Sequence, residues 1–294
     1  MTGATGLVGS AVRSRLIARG DTVTALTRRA REPQSGTEWQ IGQTTRPSDW
    51  MATLDGCDAV INLAGETIAQ RWTRSAMTEI VSSRVGTTTA LYHAIDHAHR
   101  RPRVLLSASA VGFYGTDAEK TFDETNEVGS GFLARVCEQW ELAASRSAAL
   151  CRVVYLRFGV VLARDAGALP KLVMPFRWGL GGPLGDGQQW MSWIHLDDLV
   201  SAVLYCLDQE TIQGPVNIVA PEPSQNQDLA SAIAQRLRRP NWLGAKRFWL
   251  RLGLGDMAQE MLLTGQKVDP RVLRCDHFSF AHPTLSGALQ NLLV

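Results

Sequence analysis

The sequence predicts an α/β fold in which helices cover both faces of a Rossmann-type, doubly wound parallel sheet, with a smaller C-terminal lobe. Short apolar strand candidates alternate with helical stretches, a pattern typical of parallel sheets. A glycine-rich turn also opens the chain and leads directly into an amphipathic helix. The strand candidates span 22–27, 59–64, 104–109, 153–161 and 216–219, and the helical candidates span 75–97, 131–147, 196–207 and 226–237.

The regular pattern loosens near residue 164, where glycine becomes more frequent and prolines interrupt the final third of the chain. We therefore expect an N-terminal α/β domain over residues 1–163 that also receives the later segment 193–220. Residues 164–294 are expected to form mostly a second lobe and a small C-terminal domain. A chain of 294 residues is long enough for both units.

The first nine residues carry the strongest functional signal. Their three evenly spaced glycines match a dinucleotide site, where one permits a tight turn, one lets backbone approach a pyrophosphate, and one lets the helix pack on the sheet. The helix start adds free N–H groups and a partial positive charge. The alternative is a purely structural glycine turn. The residues predicted to bind the dinucleotide here are Gly3, Thr5, Gly6, Leu7, Val8 and Gly9.

The strand that should precede these glycines is almost missing, because only Met1 and Thr2 come before Gly3. In doubly wound folds this strand is central to the sheet. An empty slot would leave buried backbone groups unpaired on two neighbours, at about 1–3 kcal/mol for each group. Two explanations are open at this stage: a start assigned too late or a shortened chain, and a true N-terminus with a vestigial first strand.

The end of the second predicted strand indicates which dinucleotide binds. NAD sites place an Asp or Glu there to hold the ribose 2′-hydroxyl. This chain instead has Arg28 and Arg29, whose guanidinium groups suit a 2′-phosphate. We therefore predict NADP(H) as the cofactor. The alternative is a solvated pair of arginines.

Composition narrows the possible partners. The net charge is +2 and no continuous basic face with interleaved aromatics is visible, so we expect no nucleic-acid partner. No apolar run approaches the ~20 residues of a membrane span. The five cysteines lack metal-ligand spacing, and their odd number suits a reducing compartment. We expect no metal site, and a cytoplasmic, stromal or matrix location, with the possibility that a targeting segment preceded Met1.

Several further motifs resemble the extended short-chain dehydrogenase/reductase superfamily. They are the glycine turn, Asn62–Glu66, Ser107–Gly115 and Trp193–Leu199. More narrowly, the chain resembles the NAD-dependent epimerase/dehydratase-like "epimerase family", whose members end in a small domain of unknown function. The motifs that carry this resemblance are 71–73, 83–85, 132–134, 140–141, 181–185, 265–270, 278–280 and 283–285.

The resemblance implies an NADP(H)-binding domain and a substrate lobe built from the C-terminal part. It adds the loop after the third strand to the predicted cofactor site. Arg84 and Arg157 are further candidates for an anionic substrate or a cofactor phosphate, because an arginine near a core is usually paired or faces a ligand. The loop after the third predicted strand, which the resemblance adds to the cofactor site, consists of Leu63, Ala64, Gly65 and Glu66.

Catalysis is where the sequence departs from this superfamily. Working members use a Ser with a Tyr-x-x-x-Lys pair, in which the Lys stabilises the phenolate. Counting along the chain puts Phe132 at the Tyr position and Val136 at the Lys position, and neither side chain transfers a proton. The remaining catalytic candidates are Ser107, Ser109 and Tyr114. The structural alternative for either serine is to cap backbone groups at the end of a strand, and for Tyr114 it is to line the wall of the substrate pocket.

His195 precedes two carboxylates and is a weaker candidate for proton transfer. A structural role is the alternative, with Asp197 or Asp198 as the N-cap of the following helix.

Two functions follow from this sequence. The first is an NADP(H)-dependent oxidoreductase or epimerase acting on an unidentified small molecule. The second is a catalytically impaired nucleotide-binding protein with a regulatory, redox-sensing or assembly role, which Phe132 and Val136 favour. A homodimer is a further expectation, because members of the superfamily often pair through helices equivalent to 75–97 and 131–147.

Overall fold

The computed structural model describes residues 1–46 and 48–293 of the chain. The strands are β1 (Val23–Thr27), β2 (Thr37–Ile41), β3 (Ala59–Asn62), β4 (Val104–Ala110), β5 (Asp117–Phe122), β6 (Arg152–Phe158), β7 (Val160–Leu162), β8 (Trp190–Met191), β9 (Trp193–His195), β10 (Gly214–Ile218), β11 (Ser224–Gln225) and β12 (Gln266–Val268). The helices are α1 (Leu7–Arg19), α2 (Arg74–His97), α3 (Phe132–Ser145), α4 (Leu169–Arg177), α5 (Leu196–Asp208), α6 (Asn226–Leu237), α7 (Arg247–Leu254), α8 (Asp256–Met261), α9 (Arg271–Cys275) and α10 (Leu285–Leu292).

The central layer is a parallel sheet, which confirms the predicted fold class. Strands β10, β6, β4 and β3 lie side by side in that order, and β1 pairs in parallel with β2. Met1 and Thr2 join these two groups. The Thr2 amide donates to the Ile61 carbonyl at 3.0 Å, while the Leu26 amide donates to the Met1 carbonyl at 2.9 Å.

The position before Met1, between β1 and β3, is a cavity of about 890 Å³. Its lining includes residues of β1 and β3, together with side chains of α1 and α2. The Met1 amino group donates to the Thr24 carbonyl at 2.7 Å, and burial lowers the pKa of this amine to about 6. Met1 and Thr2 thus lie at the position of the central strand of doubly wound sheets and pair with both neighbours.

Helices pack on both faces of the sheet, as the apolar strands require. On one face, α1 and α5 bury Val12, Leu16 and Leu199 against Leu106 of β4. On the other face, α2 and α3 pack against Leu105, the neighbouring residue of the same strand. Successive strand residues point to opposite faces, so β4 supplies both cores. Each fully buried Leu contributes roughly 1.5–3 kcal/mol relative to an exposed one.

The C-terminal lobe has a second core, in which α4, α6 and α10 surround Trp193. Segment 193–220 supplies β9, α5 and β10, and β10 extends the main sheet beside β6. Strand β12 pairs in parallel with β5, which brings the C-terminal domain onto the N-terminal part. Among the helices formed by the described residues, none combines the length and apolar composition needed to cross a bilayer.

Candidate functional site

The three N-terminal glycines occupy three different environments. Gly3 has a φ of +67°, and a Cβ there would lie 2.5 Å from the backbone of Leu63. A Cβ on Gly9 would lie 2.0 Å from the Gly3 carbonyl oxygen. At Gly6 the nearest atom to an added Cβ is that same oxygen, at 3.5 Å. Gly3 and Gly9 are therefore required by internal packing, whereas the open side of Gly6 leaves room for a ligand to approach the backbone.

Helix α1 begins beside this open glycine with its first amide groups free of side-chain caps. Gly6 is the N-cap, no side chain bonds to the first turn, and the turn holds no acidic residue. Thr5 and Gly6 are exposed, while Leu7 and Val8 are half-buried. Unpaired N–H groups and the helix dipole attract an anion to such a terminus. The residues predicted for a dinucleotide phosphate thus form one continuous cradle.

Arg28 and Arg29 lie exposed directly after β1, at the same edge of the sheet as this cradle. The Thr27 hydroxyl donates to the Arg29 carbonyl at 3.1 Å and so fixes the turn that carries them. Residues 22–31 contain no carboxylate, so the Asp or Glu that binds a ribose 2′-hydroxyl is absent from this strand end. The local charge favours a phosphate.

The loop after β3 forms the opposite wall of the cradle. Leu63 and Ala64 contact Gly3 through their backbones, and Gly65 is exposed beside them. Arg84 holds this loop in place, since its guanidinium donates to the carbonyls of Glu66 at 2.9 Å and Ile80 at 3.0 Å. Burial lowers the pKa of Arg84. Arg84 therefore organises the loop, and a direct contact with cofactor stays a prediction.

A buried polar network supports the same loop and was missed by the sequence analysis. Asn62 accepts a hydrogen bond from the Thr2 hydroxyl at 2.7 Å and donates to the Thr88 hydroxyl at 2.9 Å. The Trp140 indole also donates to the Thr88 oxygen, at 3.1 Å. One sequence feature could have indicated this network: Asn62 ends an otherwise apolar strand, and a buried side-chain amide needs hydrogen-bond partners. This network fixes the ends of β3 and α2 beneath the cradle.

The two candidate serines of β4 are buried and take part in internal hydrogen bonds. The Ser107 hydroxyl accepts from the Asn62 amide at 3.4 Å. The Ser109 hydroxyl donates to Glu141 at 2.7 Å, and Glu141 in turn binds Arg157 through both carboxylate oxygens, each at 2.8 Å. Charge-assisted, bidentate pairs of this kind are among the strongest in proteins. Arg157 is therefore paired internally.

Tyr114 belongs to the same buried cluster. Its hydroxyl donates to the Asn217 side chain at 2.8 Å and accepts from Arg157 at 2.8 Å. Burial raises the pKa of this phenol to about 12 despite the nearby guanidinium. Such a phenol is a poor base near neutral pH. The catalytic roles of Ser107, Ser109 and Tyr114 stay predictions, and this geometry favours structural roles for all three.

The start of α3, where the superfamily resemblance expects Tyr and Lys, is apolar. Phe132 and Val136 are buried against Ile80, and the Phe132 ring meets the Trp72 ring edge-on at 4.9 Å. The helix terminus itself binds a carboxylate. Glu260 of α8 accepts hydrogen bonds from the amides of Phe132 at 2.9 Å and Leu133 at 3.0 Å. A residue of the C-terminal domain therefore caps the start of α3.

The predicted cap of α5 is wrong. His195 itself is the N-cap, because its Nδ1 accepts a hydrogen bond from the Asp197 amide at 3.1 Å. Asp198 instead accepts from the amides of Ala281 and His282 and so holds the C-terminal segment.

Cys137 is buried in α3. Burial raises the pKa of its thiol to about 11, which keeps the thiol protonated near neutral pH.

Comparison with known proteins identifies the family. Residues 1–219 match the sequence model of the NAD dependent epimerase/dehydratase family. The chain belongs to this family. Residues 247–292 match a second model, a C-terminal domain of unknown function designated DUF1731. Both matches confirm the resemblance stated from the motifs.

Two relatives match the chain along its whole length. The chain is 37% identical to the Arabidopsis thaliana "Epimerase family protein SDR39U1 homolog, chloroplastic", over 100% of this chain and 86% of that protein. It is 35% identical to the Bacillus subtilis "Epimerase family protein YfhF", over 100% of this chain and 97% of that protein. Both relatives bear the name of the epimerase family.

Solved structures extend this similarity to three dimensions. The crystal structure of human epimerase family protein SDR39U1 with NADPH superposes with a TM-score of 0.89 at 33% identity, covering 99% of this chain and 97% of that one. MoeE5 in complex with UDP-glucuronic acid and NAD superposes with a TM-score of 0.80 at 21% identity, covering 98% and 95%. At that lower identity the likeness concerns the fold alone.

Proposed function

We propose that this family member binds NADP(H) and acts as an oxidoreductase or epimerase on a small molecule held between the main sheet and the C-terminal lobe. The observation that carries the proposal is the open backbone at Gly6, which faces the uncapped start of α1 with Arg28 and Arg29 at the adjoining strand end. Internal packing accounts for Gly3 and Gly9, whereas at Gly6, the N-cap of α1, the space beside the backbone allows a ligand to approach.

The residues of the cradle fit each part of a phosphorylated dinucleotide. The amides of Leu7 and Val8 would hold the pyrophosphate, and Arg28 or Arg29 would bind the 2′-phosphate with charge-assisted hydrogen bonds. The loop 63–66, supported by Arg84, would cover the opposite side. NADPH is bound in the similar human structure, which supports the same preference here. When bound, this cofactor supplies or accepts a hydride.

A second candidate function is a nucleotide-binding regulatory, redox-sensing or assembly protein that no longer performs chemistry. The apolar pair Phe132 and Val136 favours it, because neither residue transfers a proton. The internal bonding of Tyr114 favours it as well, because its phenol proton is donated to Asn217 and its oxygen already accepts from Arg157. An active enzyme would need a proton from the substrate itself, from water or from a group that the closed lobe brings in.

Calorimetric titration with NADPH and NADH tests the cofactor proposal. We expect tighter binding of NADPH, and a loss of roughly tenfold or more of that preference in Arg28→Ala or Arg29→Ala, since one charge-assisted bond contributes about 1.5–3 kcal/mol. Arg15→Ala, an exposed arginine on α1, is the matched control. Equal affinities for both dinucleotides, or an unchanged preference in both variants, would contradict the proposal.

Turnover distinguishes the two candidate functions. The wild-type protein loaded with NADPH is mixed with carbonyl compounds and nucleotide sugars, and consumption of the reduced cofactor is followed by absorbance. Steady consumption of NADPH would support the enzymatic function. If Ser109→Ala or Tyr114→Phe slows this consumption, the substituted residue has a role in catalysis. Conversion of each compound is also followed by chromatography with either redox form of the cofactor, because an epimerase returns the hydride to its substrate and consumes no cofactor net. Tight NADPH binding with neither cofactor consumption nor conversion of any compound favours the regulatory function.

A further inference from the structure

Helix α7 and its neighbours present large apolar side chains to solvent. None of the α7 residues is buried, and Phe248, Trp249 and Leu252 are 67%, 65% and 65% exposed. Trp242, shortly before the helix, is 71% exposed. Soluble proteins rarely leave contiguous apolar surface of this kind without a partner. We propose that this surface, together with the cations around it, docks on an anionic lipid bilayer, a role that goes beyond the proposed function.

The exposed side chains belong to one continuous surface. Residues 243–245 run beside 181–185, because the Leu243 amide donates to the Gly181 carbonyl at 3.1 Å and the Ala245 amide to the Pro183 carbonyl at 3.0 Å. The C-terminal end of α4 leads into this contact and exposes Trp178 and Leu180. We call the surface formed by residues 167–185 and 229–255 the basic aromatic face.

The charge of this face is one-sided. Its two segments hold eight exposed basic residues and no acidic residue, although Asp186, Asp228 and Asp256 flank them directly; the basic residues are Lys171, Arg177, Arg236, Arg238, Arg239, Lys246, Arg247 and Arg251. The whole chain has 30 basic and 28 acidic residues, so the rest of the chain is net acidic. The small net charge therefore conceals an uneven distribution. An anionic partner is favoured on this face.

Helix α7 has the arrangement of a helix that lies in a membrane interface. At 100° per residue, Phe248, Trp249 and Leu252 share the side that faces away from the protein. The half-buried Leu250 and Leu254 face inward. Arg251 lies near the edge between the two sides, while Arg247, one turn earlier, donates to the Leu263 carbonyl at 3.4 Å. Such helices insert the aromatic and aliphatic side among the acyl chains and place the cations on anionic headgroups.

Other occupants fit this face less well. Two copies meeting through the same patch would bring their like-charged arginines and lysines together. A nucleic acid would use the cations and the aromatic rings, but Leu180, Leu243 and Leu252 offer no surface on which bases stack. A bilayer uses all three elements at once: the aliphatic residues, the indole rings and the positive charge.

Vesicle co-sedimentation of the full chain tests the proposal. The probes are vesicles of phosphatidylcholine alone and vesicles of equal parts phosphatidylcholine and phosphatidylglycerol. We expect binding about tenfold tighter to the anionic vesicles, since each basic residue near such a surface adds a several-fold gain, and we expect high salt to weaken it. Phe248→Ser with Trp249→Ser should lower binding about tenfold or more. Lys246→Glu with Arg251→Glu should do the same at low salt.

Matched variants separate this face from general stickiness. Leu142→Ser removes an exposed leucine from α3, and Arg15→Glu reverses a charge on α1. Both should bind vesicles like the wild-type protein, and all variants should keep the wild-type Tm. Equal binding to both vesicle types, or equal losses in the Leu142 and α7 variants, would overturn the proposal. So would a dimer in ultracentrifugation that the α7 variants dissociate, or RNA binding that competes fully with the vesicles.

Discussion

At the scale of single residues, Gly6 and Gly9 show how similar positions in a motif serve different purposes. A side chain at Gly9 would meet the Gly3 carbonyl at 2.0 Å, inside the protein. A side chain at Gly6 would meet only the Gly3 carbonyl oxygen, at an ordinary contact distance of 3.5 Å, and the backbone has a φ of −77° that alanine adopts without strain. We therefore expect Gly9 to be needed for folding and Gly6 for binding.

Two alanine substitutions should separate these purposes. Gly9→Ala is expected to destabilise the fold by about 2–4 kcal/mol, since backbone atoms rather than a flexible side chain must move. Gly6→Ala is expected to change stability by about 1 kcal/mol or less while weakening NADPH binding at least tenfold, on the order of 1.4 kcal/mol. Urea unfolding and calorimetry measure the two quantities. Equal stability losses in both variants would contradict this division.

His195 gives a residue-scale prediction about pH. Burial, and then the neighbouring His282, lower its pKa below the ordinary value of about 6.5. As pH falls through 6.5, the unfolded chain takes up a proton before the folded protein does, so the stability decreases on acidification. His195→Asn should make this decrease less steep while keeping the helix cap, because Asn is also a good N-cap. The buried Met1 amine, whose pKa is lowered to about 6, contributes in the same direction and accounts for slope that remains.

The control for this pH effect is His99→Asn, which replaces an exposed histidine after α2. Thermal unfolding is followed in steps between pH 5 and pH 7.5 for the three proteins. The prediction would be contradicted if the dependence of Tm on pH were unchanged in the His195 variant and were lost in the His99 variant.

The geometry of the N-terminal glycine turn could be predicted from the sequence because backbone conformation produces it, while cofactor binding there stays a prediction. The spacing of the glycines and the helix that follows them determine where the backbone amides at the start of α1 point, and the sequence shows both features. The buried network of Asn62, Thr88 and Trp140 could not be predicted, because it joins positions that only tertiary packing brings together. The same holds for the Ser109, Glu141 and Arg157 cluster, which sequence spacing does not connect.

At the scale of elements, the long amphipathic helices and buried strands were predictable, and short polar strands were not. Helices α2 and α5 begin and end within about two residues of the predicted limits, an ordinary boundary uncertainty. The predicted strand 153–161 is divided into β6 and β7 at Gly159, where a Cβ would lie 2.6 Å from the Ser192 carbonyl. Strand β5 is mostly exposed and lacks an apolar signal, so its pairing with β12 decides its structure.

The cavity before Met1 gives a prediction at this scale. Adding five residues rich in Val and Ile before Met1, matching the five-residue length of β1, should raise the Tm by several degrees. Such a strand would pair with β1 and β3, fill apolar space and replace the buried amino group by an amide. Each buried apolar side chain would add roughly 1.5–3 kcal/mol before strain is counted.

A Gly-Ser extension of the same length is the control for this design. It also removes the charged amine, but it brings no apolar side chains and has a weak strand preference. Differential scanning calorimetry compares both extended proteins with the original chain. Equal Tm values for the two extensions would show that the cavity does not accept a strand.

At the scale of the whole molecule, the C-terminal part is joined to the N-terminal sheet at several separate points. Glu260 binds the start of α3, and Asp198 holds the amides of residues 281 and 282. Glu124 accepts hydrogen bonds from the amides of Asn217 in β10 and Val272 in α9. Leu273 belongs to the same core as α1 and α5. The division at residue 163, predicted from glycine and proline content, stays a prediction, and these contacts cross it.

This connectivity predicts a single cooperative unfolding transition for the whole chain. Because Leu273 belongs to the main core and β12 pairs with β5, we expect that neither part folds independently. Saturating NADPH, at about 100 times its Kd, should add about 2.7 kcal/mol and raise the one transition by several degrees, although the proposed cofactor residues lie only in the N-terminal part. Scanning calorimetry with and without NADPH measures this, with agreement of the calorimetric and van't Hoff enthalpies as the test of cooperativity. Two transitions, of which NADPH moves only the first, would mean that the C-terminal lobe folds alone and that closure over a substrate is a motion between independent bodies.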